Sequence, residues 1–166
     1  DEKVIKVVED VMIEFNKEIV DALEKKGCPA KSITIKENNV IYAEQKNIEL
    51  GYVGKPVKID DRIIKNLIKE NFIPVVSPMG LDKKKQPYNI NADTAAGALA
   101  RSIKSRRLML MTDVEGVYDK DKKLISEIQS KEAEKLIYDL TISEGMIPKV
   151  RTCIKALNDG VRGVAI

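Results

Sequence analysis

The chain of 166 residues contains no histidine and no tryptophan, and it has only two cysteines. Without histidine it cannot form histidine-containing zinc sites or histidine-based catalytic triads. Cys28 and Cys153 lie far apart and follow neither a disulfide nor a metal-binding spacing. This cysteine usage is typical of reduced thiols, so the sequence predicts a cytoplasmic protein.

Aromatic residues make up only 4% of the chain, too few to predict the stacking platforms that bind single-stranded nucleic acid. No apolar run approaches the about 18 residues of a membrane helix. The 29 basic and 26 acidic residues are scattered and leave a net charge of +3. We therefore expect neither a nucleic acid nor a membrane as partner, while 43% hydrophobic residues suffice for the core of a single domain.

The order of periodic segments indicates an α/β protein. Apolar residues at three- and four-residue steps from Val4 to Leu23 predict a helix that ends near Gly27 and Pro29. Alternating residues predict a β-hairpin of Ser32–Lys36 and Val40–Gln45 with an Asn-rich turn at 37–39, joined by a third strand at Tyr52–Ile59.

Farther along, helices and strands alternate. The predicted helices are one that Asp60 caps, then Ser130–Leu140 and Gly145–Asn158, and the predicted strands are Ile73–Ser77, Leu108–Met111 and Val161 onward. This alternation predicts a largely parallel sheet covered by helices on both faces.

The segment Tyr88–Ala100, YNINADTAAGALA, places Asn89, Asn91 and Asp93 at the start of a predicted helix. Such a helix start offers unpaired backbone N–H groups and the positive end of a helix dipole to a ligand. A helix cap needs one of these side chains, and the segment supplies three. The surplus favours a binding site, with Asn91 as the residue most suited to be the cap.

Two more loops follow predicted strands or precede a helix, where ligands bind in open α/β sheets. The loop Thr112–Asp119 lacks the spacing of an EF-hand calcium site, so Asp113 is either an acceptor for hydroxyls or a metal-bound nucleotide, or a turn residue. In the loop Thr141–Lys149, Pro148 fits the first turn of a helix and puts Lys149 near its positive pole. A lysine there is electrostatically misplaced for a structural role, although a surface lysine remains the alternative.

Taken together, these segments resemble the acetylglutamate kinases of the amino-acid kinase superfamily. The resemblance runs from end to end: NKEIV at 16–20, ELGYVGKP at 49–56, IPVVSP at 73–78, YNINADTAAGALA at 88–100, LMTDVEGVY at 110–118 and TISEGMIPKV at 141–150. The combination of NINAD with GMIPK is its most specific part.

The resemblance implies a three-layer α/β/α sandwich with a mainly parallel central sheet and a β-hairpin excursion. It also implies a kinase that uses ATP and Mg2+ to phosphorylate the side-chain carboxylate of N-acetyl-L-glutamate in arginine biosynthesis, and that forms dimers or hexamers. Lys149 is similar to the lysine that stabilises the transferring phosphoryl group, and Asp93 to the aspartate that orients the catalytic lysines.

The resemblance assigns substrate and nucleotide contacts as well. Asn89 is similar to the asparagine that binds acetylglutamate, and we group Asn91 with it as substrate-binding. The predicted nucleotide-binding residues are Asp113, Val114, Gly116, Val117, Tyr118, Thr141, Ile142, Ser143 and Met146. No metal ligand is predicted, because phosphates hold most of the metal in such sites.

Several family features are missing: the lysine with a glycine-rich phosphate loop, a second glycine-rich loop, the arginine for the substrate carboxylate, and the closing segment. We therefore expect residues 1–166 to be a single-domain fragment that is inactive alone. Residues 1–90 would be the rest of the amino-acid-binding half, including a β-hairpin, and residues 91–166 the nucleotide-binding half. The alternatives are a sibling kinase for another carboxylate, such as an acetylaminoadipate-type substrate, and a nonenzymatic nucleotide-binding module.

Overall fold

The computed structural model describes the whole chain, Asp1 to Ile166, and divides it into two compact units. The first unit is Asp1–Ile103 and the second is Lys104–Ile166. Both units combine helices with partly parallel sheets, which confirms the expected α/β class. The assignment of functions to residues 1–90 and 91–166 stays a prediction, because compactness alone carries no function. No helix combines the length and the apolar character needed to cross a membrane.

The first unit begins with the 24-residue helix α1 (Glu2–Lys25), as its three- and four-residue periodicity predicts. The Asp1 carboxylate accepts the Val4 N–H at 2.9 Å, and Gly27, with φ of 75°, follows the last turn. One face of α1 packs on the unit through Ile5 and Asn16. The opposite face carries an exposed apolar row, the α1 stripe, whose residues are 36% to 62% exposed: Val4, Val7, Val11, Phe15 and Ile19.

Strands and two more helices complete the first unit. They are β1 (Ala30–Ile33), β2 (Ile41–Gln45), β3 (Val53–Ile59), α2 (Arg62–Lys69), β4 (Ile73–Val76), β5 (Met79–Leu81), β6 (Pro87–Ile90) and α3 (Ala92–Ser102), with a short 3-10 turn at Ile48–Leu50. β1 and β4 form a parallel pair. The strands β2, β3, β6 and β5 pair in that order into a closed ring.

The predicted hairpin of Ser32–Lys36 with Val40–Gln45 is wrong. β1 pairs with β4, and β2 pairs antiparallel with β3, which confirms the third strand but gives β2 a different partner. The chain between β1 and β2 folds on itself instead, because the Thr34 N–H donates to the Glu37 carbonyl and the Glu37 N–H to the Thr34 hydroxyl. Alternation predicts a strand, but it does not choose the partner strand.

Two glycines let the ring close. A Cβ at Gly54 would lie 2.6 Å from the Tyr88 Cβ, and a Cβ at Gly80 would lie 2.8 Å from the Ile41 carbonyl oxygen. Both distances are too short for a side chain. The strands can therefore approach one another this closely only because glycine occupies these two positions. The core next to the ring is formed by Ile33, Val40, Ile41, Ala43, Ile64, Tyr88, Ile90 and Ala95.

The second unit contains β7 (Arg107–Met109), α4 (Ser130–Tyr138), α5 (Met146–Asn158) and β8 (Gly163–Ala165). All four were expected within a few residues of these bounds. β7 and β8 form a parallel pair. The long segment between β7 and α4 has no regular strand, and it is anchored by Val117 in an apolar cluster with Ala133, Ile142, Val150 and Ile154.

Candidate functional sites in the two units

In the first unit, the asparagine-rich motif lies where β6 ends and α3 begins. The Asn91 Oδ1 accepts the Thr94 N–H at 3.0 Å and the Thr94 hydroxyl at 3.1 Å. Asn91 is therefore the N-cap of α3, which confirms the cap predicted from the sequence. Its assignment as a substrate-binding residue stays a prediction.

Asn89 lies in β6 with a strand on each side. It is opposite Val53 of β3 and Met79 of β5, and its N–H donates to the Tyr52 carbonyl at 2.9 Å. Its neighbours Tyr88 and Ile90 are buried at 8% and 2% exposure. Because side chains alternate along a strand, the half-buried Asn89 points to the other face. The ring therefore fixes the backbone from which the Asn89 side chain extends.

Asp93 lies in the first turn of α3 and is half-buried. A carboxylate at that position interacts favourably with the helix dipole. Asp93 belongs to the first unit and Lys149 to the second. The role of Asp93 in orienting a catalytic lysine stays a prediction.

In the second unit, two segments that are distant in the sequence line an open cavity of about 540 Å³. Its size lies within the range of small-molecule sites. Every predicted nucleotide-binding residue except Asp113 lines this cavity: Val114, Gly116, Val117, Tyr118, Thr141, Ile142, Ser143 and Met146. The structure therefore brings together two sets of residues that the sequence alone could not place side by side.

The first cavity wall is the loop that contains residues 114–122. Gly116 has φ of 148°, and a Cβ there would meet the Leu124 side chain at 3.0 Å, so a side chain would disturb the wall. The loop ends in a tight turn in which the Asp119 Oδ1 accepts the N–H groups of Asp121 and Lys123 at 2.8 and 2.9 Å. This turn orders residues 119–123, where the first wall ends.

The second cavity wall connects α4 to α5. The Asp139 Oδ1 accepts the Thr141 N–H at 3.2 Å and the Thr141 hydroxyl at 2.6 Å. The pKa of Asp139 lies below its usual value, chiefly because the Thr141 hydroxyl donates to the carboxylate. The Thr141 N–H and the nearby Lys120 lower this pKa further. Ile142, at 2% exposure, anchors the wall in the apolar cluster below.

Sequence reasoning missed several polar residues that line the cavity. Lys120 belongs to the first wall and Asp139 to the second. The Lys120 Nζ lies 3.3 Å from the Asp139 Oδ2. Lys122, with φ of 60°, also lines the cavity. Lysines in a turn and an acid after a helix are typical of solvated surface, so their types alone predict nothing. The spacing of Asp139 and Thr141, which allows an Asx turn beside a predicted site residue, could have indicated Asp139.

Asp113 and Lys149 lie outside the cavity-lining set. Asp113 precedes the first wall, where it accepts a hydrogen bond from the Thr112 hydroxyl at 3.3 Å. Lys149 follows Pro148 in the first turns of α5. The N-cap of this helix is Gly145, which has no side chain to accept a capping hydrogen bond. The roles assigned to both residues stay predictions. No three acidic or cysteine side chains lie close enough together to hold a metal ion.

The sequence profile of the amino acid kinase family matches residues 1–166. The acetylglutamate kinase of Pelagibacter ubique is 53% identical over all 166 residues, which are 58% of that protein. The acetylglutamate kinase of Bradyrhizobium sp. strain ORS 278 is 44% identical over 180 residues, covering all of this chain and 60% of that protein. The chain thus spans about three fifths of the length of the curated relatives it matches.

Solved structures show the same fold. The crystal structure of smu.665 from Streptococcus mutans UA159 superposes with a TM-score of 0.89 at 27% identity, over 97% of this chain and 66% of that one. The carbamate kinase of Giardia superposes with a TM-score of 0.67 at 19% identity, over 95% of this chain and 63% of that one, and this likeness concerns the fold alone.

Proposed function

The chain belongs to the amino acid kinase family, and from this premise we propose that it is part of an ATP-dependent acetylglutamate kinase. The reaction would transfer the terminal phosphoryl group of ATP to the side-chain carboxylate of N-acetyl-L-glutamate in arginine biosynthesis. The observation that carries the proposal is the cavity of about 540 Å³ in the second unit, which is lined by eight residues predicted to bind the nucleotide. The relatives named acetylglutamate kinase at 53% and 44% identity support the choice of acceptor.

The proposed reaction brings an anionic carboxylate to an anionic phosphate, so catalysis consists mainly of positioning and of cationic charge. Lys149 supplies that charge near the positive end of α5. Asn89 binds the acceptor without adding charge, on a strand whose backbone the ring fixes. Asp93 has the task of orienting a catalytic lysine.

Magnesium fits this proposal only as an ion that the phosphates bring with them. The chain offers no cluster of carboxylates that could form a metal cage. Mg2+ generally keeps several waters and phosphate oxygens and needs few protein ligands. Its contribution when bound is to neutralise phosphate charge, and no residue here is assigned to it.

The test is a hydroxylamine trap for the acyl phosphate, run on the complete polypeptide of which this chain is part. With ATP, we expect hydroxamate from N-acetyl-L-glutamate and much less from an N-acetylaminoadipate. Hydroxamate from the second acid alone would identify a sibling kinase instead. Nucleotide binding without hydroxamate from either acid would identify a nonenzymatic binding module.

The upstream coding sequence gives an independent check. A strand ending in Lys-x-Gly-Gly and a later Gly-x-Arg-x-Thr segment would supply the phosphate loop and the carboxylate arginine that the kinase requires. We further propose that the 166-residue chain has no acetylglutamate-dependent turnover of its own. Turnover by the purified chain would contradict this.

We also propose that the complete protein is a cytoplasmic homo-oligomer, a dimer or a hexamer. The α1 stripe supports self-association, because contiguous exposed apolar rows commonly mark protein interfaces. Sedimentation velocity of a Val11→Lys variant should show a smaller species than the parent protein. Lys17→Ala, on the polar side of the same helix, is the control and should leave the assembly unchanged.

The two cysteines are not joined by a disulfide, which agrees with a reducing compartment.

A further inference from the structure

We propose that Lys120 and Asp139 form a clasp that holds the two walls of the nucleotide cavity together and thereby sets nucleotide affinity. The inference rests on the proposed function, because it assumes that the cavity binds ATP. Both are positioning residues in this proposal. They would act on the walls and not on the transferred phosphoryl group.

Each partner of the clasp is fixed by its own wall. On the second wall, one oxygen of Asp139 is engaged by the Thr141 N–H and hydroxyl, so the carboxylate cannot rotate freely. Its other oxygen, Oδ2, faces Lys120 at 3.3 Å. On the first wall, Lys120 follows Asp119, whose carboxylate closes the turn. Each of the two walls is therefore ordered next to its charged residue, and Lys120 and Asp139 face each other across the walls.

The clasp lies above a base that already joins the walls. Val117 of the first wall and Ile142 of the second share a buried apolar cluster. The side chains of Lys120 and Asp139 are 67% and 26% exposed, so they link the same walls near the solvent. Exposed ion pairs contribute little to overall stability. A role in global folding does not therefore account for this contact.

A link near the mouth of a cavity favours binding by preorganisation. Walls that are already held in place lose less conformational freedom when a ligand enters, so the affinity is higher. The effect should appear in nucleotide binding and not in the chemical step. Lys120 could instead contact the phosphates directly, and this alternative makes a different prediction for combined variants.

The experiment measures ATP affinity by isothermal titration calorimetry with the complete polypeptide of which this chain is part, and with four variants of it. The variants are Lys120→Ala, Asp139→Asn, their combination and Lys120→Arg; asparagine keeps an acceptor for Thr141 and removes the charge. Lys123→Ala is the control, because Lys123 lies in the same turn but does not line the cavity. We expect each single neutral variant to bind ATP about threefold to fivefold more weakly, a range typical of losing one exposed ion pair.

The combined variant should bind no more weakly than either single variant, because both changes break one contact. Lys120→Arg should retain the parent affinity, and Lys123→Ala should not change it. In the complete enzyme, Lys120→Ala should raise the KM for ATP by a similar factor and leave kcat unchanged, with an unchanged unfolding temperature.

Unchanged affinity in the single variants would overturn the clasp, and so would additive losses in the combination, which would indicate direct phosphate contact by Lys120. A complete polypeptide that binds no ATP would refute the nucleotide site itself, and the clasp with it. The failure of the clasp alone is therefore distinguishable from the failure of the proposed function.

Discussion

Asn89 in the first unit lies on a strand with hydrogen-bonded neighbours on both sides, whereas the predicted nucleotide contacts of the second unit lie mainly on loops. The ring around Asn89 depends on glycines that admit no side chain. The cavity walls depend instead on turns that individual carboxylates close. The predicted acceptor contact therefore lies on a rigid carrier, while the predicted nucleotide contacts lie on loops anchored at their base.

The largest expected effect tests whether the second unit carries the chemistry. In the complete enzyme, Lys149→Ala should lower kcat by at least ~100-fold with a modest change in the KM for ATP, because it removes charge that stabilises the transition state. Lys155→Ala, exposed on the same helix, is the control and should leave both parameters unchanged. An unchanged kcat in Lys149→Ala would reduce Lys149 to a surface residue.

The next effect tests the rigidity of the ring. Gly80→Ala should destabilise the 166-residue chain by about 2 kcal/mol, because the added Cβ would meet the Ile41 carbonyl oxygen at 2.8 Å. Gly145→Ala in the second unit is the control, since nothing lies within 4 Å of its added Cβ. Urea unfolding compares the two. Equal stability of both variants would remove the contrast between a tight ring and an open loop.

A smaller effect tests the acceptor assignment. In the complete enzyme, Asn89→Ala should raise the KM for acetylglutamate about tenfold, the loss expected for a hydrogen bond to a charged group. The KM for ATP should change little. Asn66→Ala, on the exposed side of α2, provides the control. If steady-state kinetics showed a loss of ATP affinity alone, Asn89 would have been given the wrong ligand.

The smallest effect concerns a surface ion pair of the first unit. Asp61, and not the predicted Asp60, is the N-cap of α2, while the Asp60 carboxylate accepts hydrogen bonds from the Arg62 guanidinium and N–H. These bonds, chiefly those of the guanidinium, lower the pKa of Asp60 to about 2. The pair therefore contributes stability above the ordinary pKa of 3.8, and this contribution is lost as the pH falls towards 2.

Carboxyl NMR titration of Arg62→Gln checks that pair. The pKa of Asp60 should rise towards 3.8, and the unfolding midpoint at neutral pH should hardly change because the pair is exposed. An unshifted pKa would show that the pair does not persist in solution.

Helices were the most predictable part of the fold. The periodicity of α1, α4 and α5 is local, so it can be read from neighbouring residues. The pairing of β1 with β4 is not local. It depends on which distant strand tertiary packing brings beside β1, and the alternation that predicted a hairpin contains no such information.

The candidate sites divide in the same way. The N-cap role of Asn91 follows from residues within one helical turn, so the sequence could indicate it. The nucleotide residues came from the family resemblance, and the structure brought all except Asp113 to one cavity. The contact of Lys120 with Asp139 joins two loops that only tertiary packing brings together, and neither residue type is distinctive by itself.

The closed ring has a consequence for association between copies. A strand at the edge of a sheet presents unpaired backbone groups, and another chain can pair with them. Strands in the ring have a neighbour on each side, so the strand that carries Asn89 cannot recruit a foreign strand without first unpairing. The two-stranded sheets β1–β4 and β7–β8 have outer edges without a strand neighbour. Aggregation by strand addition is therefore expected to begin at those edges and to spare the ring.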